Sequence, residues 1–102
     1  DTDPANRGRD SIDMLVAACH RVQALGWRVA NVDVTVIAEH PKIGPHRARI
    51  GQRLAEALGV EVEAVSVKGK TNEGMGWVGR GEGLACLAIA TLVPAARVPI
   101  TR

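Results

Sequence analysis

The chain has 102 residues and 10.8 kDa, is 46% hydrophobic and 2% aromatic, and so has the size and apolar content of one packed domain rather than of a disordered segment. Thirteen Lys and Arg against eleven Asp and Glu leave a net charge of +2, and there is no Phe or Tyr. That balance sets aside a dedicated nucleic-acid surface, which needs concentrated basic charge or a row of stacking aromatics.

In chain order, residues 1–9 are polar and turn-like, with Pro4, Asn6 and Gly8. The opening Asp1-Thr2-Asp3-Pro4 has no initiator Met and reads as the interior of something longer. Asp10 or Ser11 offers an N-cap, and Ile12, Leu15, Val16, Cys19 and Val22 follow at helical spacing until Gly26. The pattern predicts an amphipathic helix. Residues 29–37 are dominated by β-branched side chains, with Val32, Val34 and Val36 on one face and Asp33 and Thr35 on the other, a strand with one face in the core.

Residues 38–46 carry two prolines and a glycine and read as a loop. A second helix is predicted over about 47–58, with Ile50, Leu54 and Leu58 on one stripe and Gly59 at its end. Residues 65–68 read as a short strand, and 69–83 as a glycine-punctuated stretch. The run from Leu84 to Val93 is apolar on both faces and bounded by Pro94, so a strand is favoured over a buried helix. At about half the length of a membrane span, it predicts no membrane insertion. A small protein has difficulty burying both faces of a strand, so an oligomer is expected. Cys19 and Cys86 lie far apart in apolar surroundings and are expected to be two buried thiols of a reducing cytosol.

Three loops concentrate polar residues. Asp1-Thr2-Asp3-Pro4 suits turns and caps, and only context would make it a binding segment. The loop Pro41-Lys42-Ile43-Gly44-Pro45-His46 follows a strand and carries a cation and backbone amides; it can hold a phosphate or a base, or serve as a solvated connection. Lys68-Gly69-Lys70-Thr71-Asn72-Glu73-Gly74-Met75-Gly76 says more. Its glycines permit close approach, the Thr71 hydroxyl and neighbouring N–H groups are suitable donors to phosphate oxygens, and Glu73 is the hard oxygen ligand Mg²⁺ takes beside substrate phosphates. Gly74-Met75-Gly76-Trp77-Val78-Gly79 matches G-x-G-x-x-G, but no strand immediately precedes it, and it is rejected as a dinucleotide fingerprint. His20, His40 and His46 lack zinc-ligand spacing and receive no metal.

Together, Asp1-Thr2-Asp3-Pro4, the run from Asn31 to Ala38, Pro41-Lys42 with Pro45-His46, and Gly79-Arg80-Gly81-Glu82-Gly83 resemble the 2-C-methyl-D-erythritol 2,4-cyclodiphosphate synthases of the non-mevalonate isoprenoid pathway. The four motifs occur in order from Asp1 to about Val93. The resemblance implies an α/β sandwich with helices on one face of a mixed sheet. It also implies a homotrimer, its sheets toward the central axis and its active sites between subunits, in the bacterial cytoplasm or a plastid. The implied reaction is attack by the 2-phosphate of 4-diphosphocytidyl-2-C-methyl-D-erythritol 2-phosphate on the same molecule's β-phosphorus, expelling CMP. Such a reaction needs chiefly in-line folding of the substrate and screening of phosphate charge.

Residue by residue, the resemblance implies that Asp1, Thr2 and Asp3 contact the methylerythritol moiety. Ala38, Glu39, His40, Pro41, Lys42, Ile43 and Gly44 would form the cytosine and phosphate pocket. Lys70, Thr71, Asn72 and Glu73 would cradle the diphosphate, Thr71 as the transition-state hydroxyl and Glu73 as ligand of Mg²⁺ or Mn²⁺. Trp77 and Arg80 would lie near the cytidylyl pocket and the trimer axis, Arg80 pairing with Glu82 of a neighbouring chain. The family's zinc (Zn²⁺) ligands are expected upstream of residue 1, so the chain looks like roughly the C-terminal two-thirds of a synthase, a single domain over 1–102 that is incomplete at its N-terminus. Two readings of other classes stand beside it: a metal-free nucleotide- or diphosphate-binding fragment, and a structural trimer with an isoprenoid diphosphate in its pore.

Overall fold

The computed structural model describes residues 10–95. Asp1, Thr2 and Asp3, and the tail beyond Ala95, lie outside the described residues. Helix α1 (Ser11–Ala24) begins where its cap predicts, with the Asp10 carboxylate accepting the Ile12 N–H at 2.8 Å. Asp13 in the first turn and Arg21 in the last both suit the helix dipole. After a turn at Gly26 the chain enters β1 (Trp27–Ile37), the central strand. A loop and a short 3₁₀ turn (Gly44–His46) lead into α2 (Arg47–Leu58), which closes on Gly59. A second 3₁₀ turn (Val62–Ala64) precedes β2 (Val65–Lys70), and a one-turn helix α3 (Gly76–Gly79) precedes β3 (Ala85–Pro94).

The strands form one mixed sheet in the order β2-β1-β3. β1 and β2 are parallel, joined through α2, and in register from Val32 opposite Val65 to Ile37 opposite Lys70. β3 is antiparallel to β1, with Ile37 opposite Ala85 and Val32 opposite Ala90. The helices α1 and α2 pack on one face, against β1 and β2. This is the expected α/β arrangement. Between the layers lie Cys19, Val29, Val32, Val34 and Leu58, with Leu15, Leu54, Val60 and Val65 packed around them.

The seated face of α2 is turned by one position from the predicted stripe. Gly51, Ala55 and Leu58 are buried, while Ile50 and Leu54 are half-buried. Small residues let the helix axis sit close to β2, where a Cβ on Gly51 would just touch Val67. β2 also runs two residues further than predicted, because pairing with Thr35, Val36 and Ile37 carries it through Gly69 to Lys70.

The strand β3 forms as expected, but its faces are not covered. Leu87 is 65% and Ile89 71% exposed, since the helix layer lies over the other two strands. Cys86 shares this position: it is exposed, whereas Cys19 is buried, and both thiols are free. The expectation of two buried thiols is therefore corrected for Cys86. No helix among the described residues is long and apolar enough to cross a membrane.

Candidate functional site

Parallel pairing brings the polar loops together. β1 ends at Ile37 and β2 at Lys70, directly opposite one another, and β3 begins at Ala85 on the other side of Ile37. Loops 38–46 and 71–84 therefore emerge side by side at one end of the sheet. In open α/β sheets ligands bind there, beyond the carboxyl ends of parallel strands, where diverging loops leave a crevice. The Ala38 N–H donates to the Lys70 carbonyl at 2.9 Å, continuing the ladder one residue into the loops.

The crevice is a cavity of about 450 Å³. Ala38, Lys42, Ile43, Gly44, Pro45 and Arg47 line one side, and Gly69, Lys70 and Thr71 the other. Glycine at 69 makes this approach possible, because a Cβ there would lie 2.8 Å from the Cβ of Ile43. Three cations, Lys42, Arg47 and Lys70, line the cavity, and among the described residues no carboxylate does. The first turn of α2 holds no acidic residue and begins with Arg47, with Arg49 close behind. Cations at a helix N-terminus oppose the dipole preference, so this end of the molecule concentrates positive potential that an anionic ligand would relieve.

The turn after β2 is held from within and from across the crevice. One carboxylate oxygen of Glu39 accepts the N–H groups of Asn72 at 3.0 Å and Gly74 at 3.2 Å. The Thr71 hydroxyl oxygen accepts the Glu73 N–H at 3.3 Å, and the Asn72 side-chain amide donates to the Met75 carbonyl at 2.7 Å. Three backbone N–H groups expected as phosphate donors are thus already engaged, a correction to that expectation. On this side of the cavity the side-chain donors are the Thr71 O–H, whose oxygen does the accepting, and the Lys70 ammonium, with Lys42 and Arg47 on the other side. Glu73 sits at φ 55°, and among the described residues no side chain engages its carboxylate.

The G-x-G-x-x-G match resolves into a tight turn. β2 ends well before Gly74, and α3 runs for a single turn, so neither the strand nor the helix of a dinucleotide site is present there. A Cβ at Gly79 would fall 2.1 Å from the Gly74 carbonyl carbon, which packs the two ends of the turn together. Val78 is buried beneath it and Trp77 is half exposed. Arg80 makes a two-pronged contact with Glu82 of the same chain, Nε to Oε2 at 2.9 Å and an Nη to Oε1 at 3.1 Å. The pairing expected between neighbouring chains is therefore made within one, and it holds the Arg80 guanidinium above its already high ordinary pKa against a small opposing desolvation.

Of the residues predicted from sequence, Ala38, Lys42, Ile43, Gly44, Lys70 and Thr71 line this cavity. Glu39 and Asn72 do not line it but are joined by the hydrogen bond from the Asn72 N–H to the Glu39 carboxylate, and Glu73 lies between the two residues, Asn72 and Gly74, that Glu39 holds. Pro41 lines a separate hollow with His46 and Arg49, while His40, Trp77 and Arg80 do not line the main cavity. Sequence reasoning missed Arg47, for which the available signal was a cation in the first helical turn, directly after the loop carrying Lys42. Among the described residues no group of three or more His, Cys, Asp or Glu could hold a metal ion.

Comparison with known proteins gives a consistent picture. The profile described as the YgbB family matches residues 1–93. Among curated relatives, the 2-C-methyl-D-erythritol 2,4-cyclodiphosphate synthase of Gemmatimonas aurantiaca is 61% identical over 93 residues, covering 91% of this chain and 56% of the relative. That of Salmonella choleraesuis is 50% identical over 97 residues, covering 95% of this chain and 61% of the relative. The chain thus spans somewhat under two-thirds of the length of these relatives. Among solved structures, the Plasmodium vivax 2C-methyl-D-erythritol 2,4-cyclodiphosphate synthase superposes with a TM-score of 0.82 at 39% identity, covering 85% of this chain and 58% of that one. A Plasmodium falciparum IspF in complex with CDP gives 0.81 at 32% identity, covering 85% and 56%.

Proposed function

We propose a function on one premise: the chain belongs to the YgbB family, which matches residues 1–93. The whole protein converts 4-diphosphocytidyl-2-C-methyl-D-erythritol 2-phosphate to the 2,4-cyclodiphosphate with release of CMP, in the cytoplasm, as a homotrimer. The observation carrying this reading is the cavity at the parallel strand ends, lined by Lys42, Arg47 and Lys70 beside Thr71 and bordered by the exposed Glu73 carboxylate. Curated synthases align with it, and a similar structure holds CDP.

In this reading Lys42, Arg47 and Lys70 hold the phosphates by charge, and backbone groups of Ala38 to Gly44 read the cytosine edge. Thr71, its oxygen accepting the Glu73 N–H, directs its proton to a phosphoryl oxygen whose charge grows as the ring closes. Asp1, Thr2 and Asp3 serve the methylerythritol end, and Trp77 and Arg80 the cytidylyl side. The donor set fits Mg²⁺ or Mn²⁺: one hard, exposed carboxylate, Glu73, next to a diphosphate that would complete the coordination. When bound, that ion supplies charge neutralisation across the diphosphate. The described residues do not fit zinc, since none of their His, Cys, Asp and Glu form a ligand cluster.

Thr71→Ala and Glu73→Ala, made in the whole protein, are each expected to lower the rate of CMP release by about a hundredfold. Near-normal turnover in both variants would remove the site assignment.

A further inference from the structure

Among the described residues, Glu39 is tied more closely to the backbone than any other side chain at the site. It lies just beyond β1, yet its bonds reach residues 33 and 35 positions away, in the turn that follows β2. A single carboxylate oxygen accepts from both Asn72 and Gly74, at 3.0 and 3.2 Å. These N–H groups flank Glu73, so rotating the Glu73 backbone in either direction breaks one of them. Glu73 itself adopts φ 55°, a left-handed conformation that a residue with a Cβ does not hold without outside support.

The two carboxylates therefore have different occupations. Glu39 is half-buried and satisfied by backbone donors; Glu73 is exposed and engaged by no side chain among the described residues. We propose that Glu39 is a positioning residue: by clamping the Asn72 and Gly74 N–H groups it fixes the Glu73 backbone, and with it the carboxylate offered to a divalent cation. This rests on the reading of Glu73 given above. The clamp needs reach and an acceptor oxygen more than it needs charge. The substitution Glu39→Gln preserves both reach and acceptor; Glu39→Asp, one methylene shorter, keeps the charge and an acceptor oxygen but loses the reach.

The test uses the whole protein with Mn²⁺ as probe in the presence of CDP, followed by electron paramagnetic resonance, together with amide hydrogen exchange and CMP release. Glu39→Ala is expected to weaken Mn²⁺ binding about tenfold and to speed exchange at the Asn72 and Gly74 amides by at least about tenfold. It should lower kcat by more than it weakens CDP binding. Glu39→Gln should recover most of all three properties, and Glu39→Asp should behave like Glu39→Ala. If Glu39→Ala fails to fold, the Gln and Asp variants carry the comparison. Unchanged Mn²⁺ binding in Glu39→Asp, or a Gln variant that binds Mn²⁺ as poorly as the Asp variant, overturns the proposal; the second result would mean that the site needs the Glu39 carboxylate charge at its full reach, not merely an acceptor oxygen. Glu73→Gln separates the two levels of inference. Wild-type Mn²⁺ binding in that variant defeats the reading of Glu73, whereas impaired binding there with unaffected Glu39 variants defeats only the clamp.

Discussion

Lys42, Arg47 and Lys70 gather three positive charges around one cavity in a chain whose net charge is only +2. The local field, not the total, is what an anionic ligand meets. Arg47 contributes both a charge-assisted donor and its place at the head of α2. Arg47→Ala is expected to weaken CDP binding about tenfold and to make it less salt-sensitive, as read by titration calorimetry at two ionic strengths. Unaltered affinity at low salt would exclude Arg47 from the ligand. Arg80 behaves differently. Its folded-state pKa is raised by Glu82, so the stability linked to the guanidinium's own protonation is present below its ordinary pKa and is lost only as pH rises through the higher folded value. It introduces no pH dependence in the working range. Lys42, Thr71 and Glu73 were legible as candidates because their chemistry is read from residue type alone. The engaged N–H groups of residues 72 and 74 were not, since their availability depends on a carboxylate more than thirty residues away.

At the level of elements, both long helices were legible to within a residue or two. Their ends are set by local chemistry, the Asp10 cap of α1 and the left-handed Gly59 that closes α2. The seated face of α2 was not. Hydrophobicity favours Ile50 and Leu54, but close approach to β2 favours Gly51 and Ala55. Leu58 belongs to both sets and reaches the core beside Cys19, whose Sγ lies 3.6 Å from the Leu58 carbonyl oxygen. Leu58→Ala is expected to cost about 2–4 kcal/mol in denaturant unfolding. A cost below about 0.5 kcal/mol would mean that α2 does not anchor the core. Strand β2 shows the same override: Gly69 counts against a strand, yet pairing with Val36 and the need to approach Ile43 keep it in one.

For the whole molecule, the dominant feature is the apolar strand β3 at the edge of the sheet. Its register places Leu87 and Ile89 opposite Thr35 and Asp33, on the face away from the helices, and Cys86, Ala88 and Ala90 opposite Val36, Val34 and Val32 on the other. Leu87 and Ile89 are largely exposed, and an edge of this kind invites association. The whole protein is expected to sediment as an oligomer, and Ile89→Lys to shift it toward monomer. A wild-type protein that remains monomeric at tens of micromolar would contradict the proposed trimer.

The sequence by itself determined the two helices, the central strand and the identity of most cavity-lining residues, because periodicity, caps and residue chemistry are local properties; the fold class followed from the resemblance to a known family. Only the tertiary structure decided which loops meet. The parallel register of Ile37 with Lys70 brings Lys42 and Thr71 to one cavity and recruits Arg47, while Glu39 is spent on the opposite loop. Cys86 is left outside the core. These outcomes depend on distances between residues far apart along the chain, set when one helix layer covers two strands and leaves the third bare.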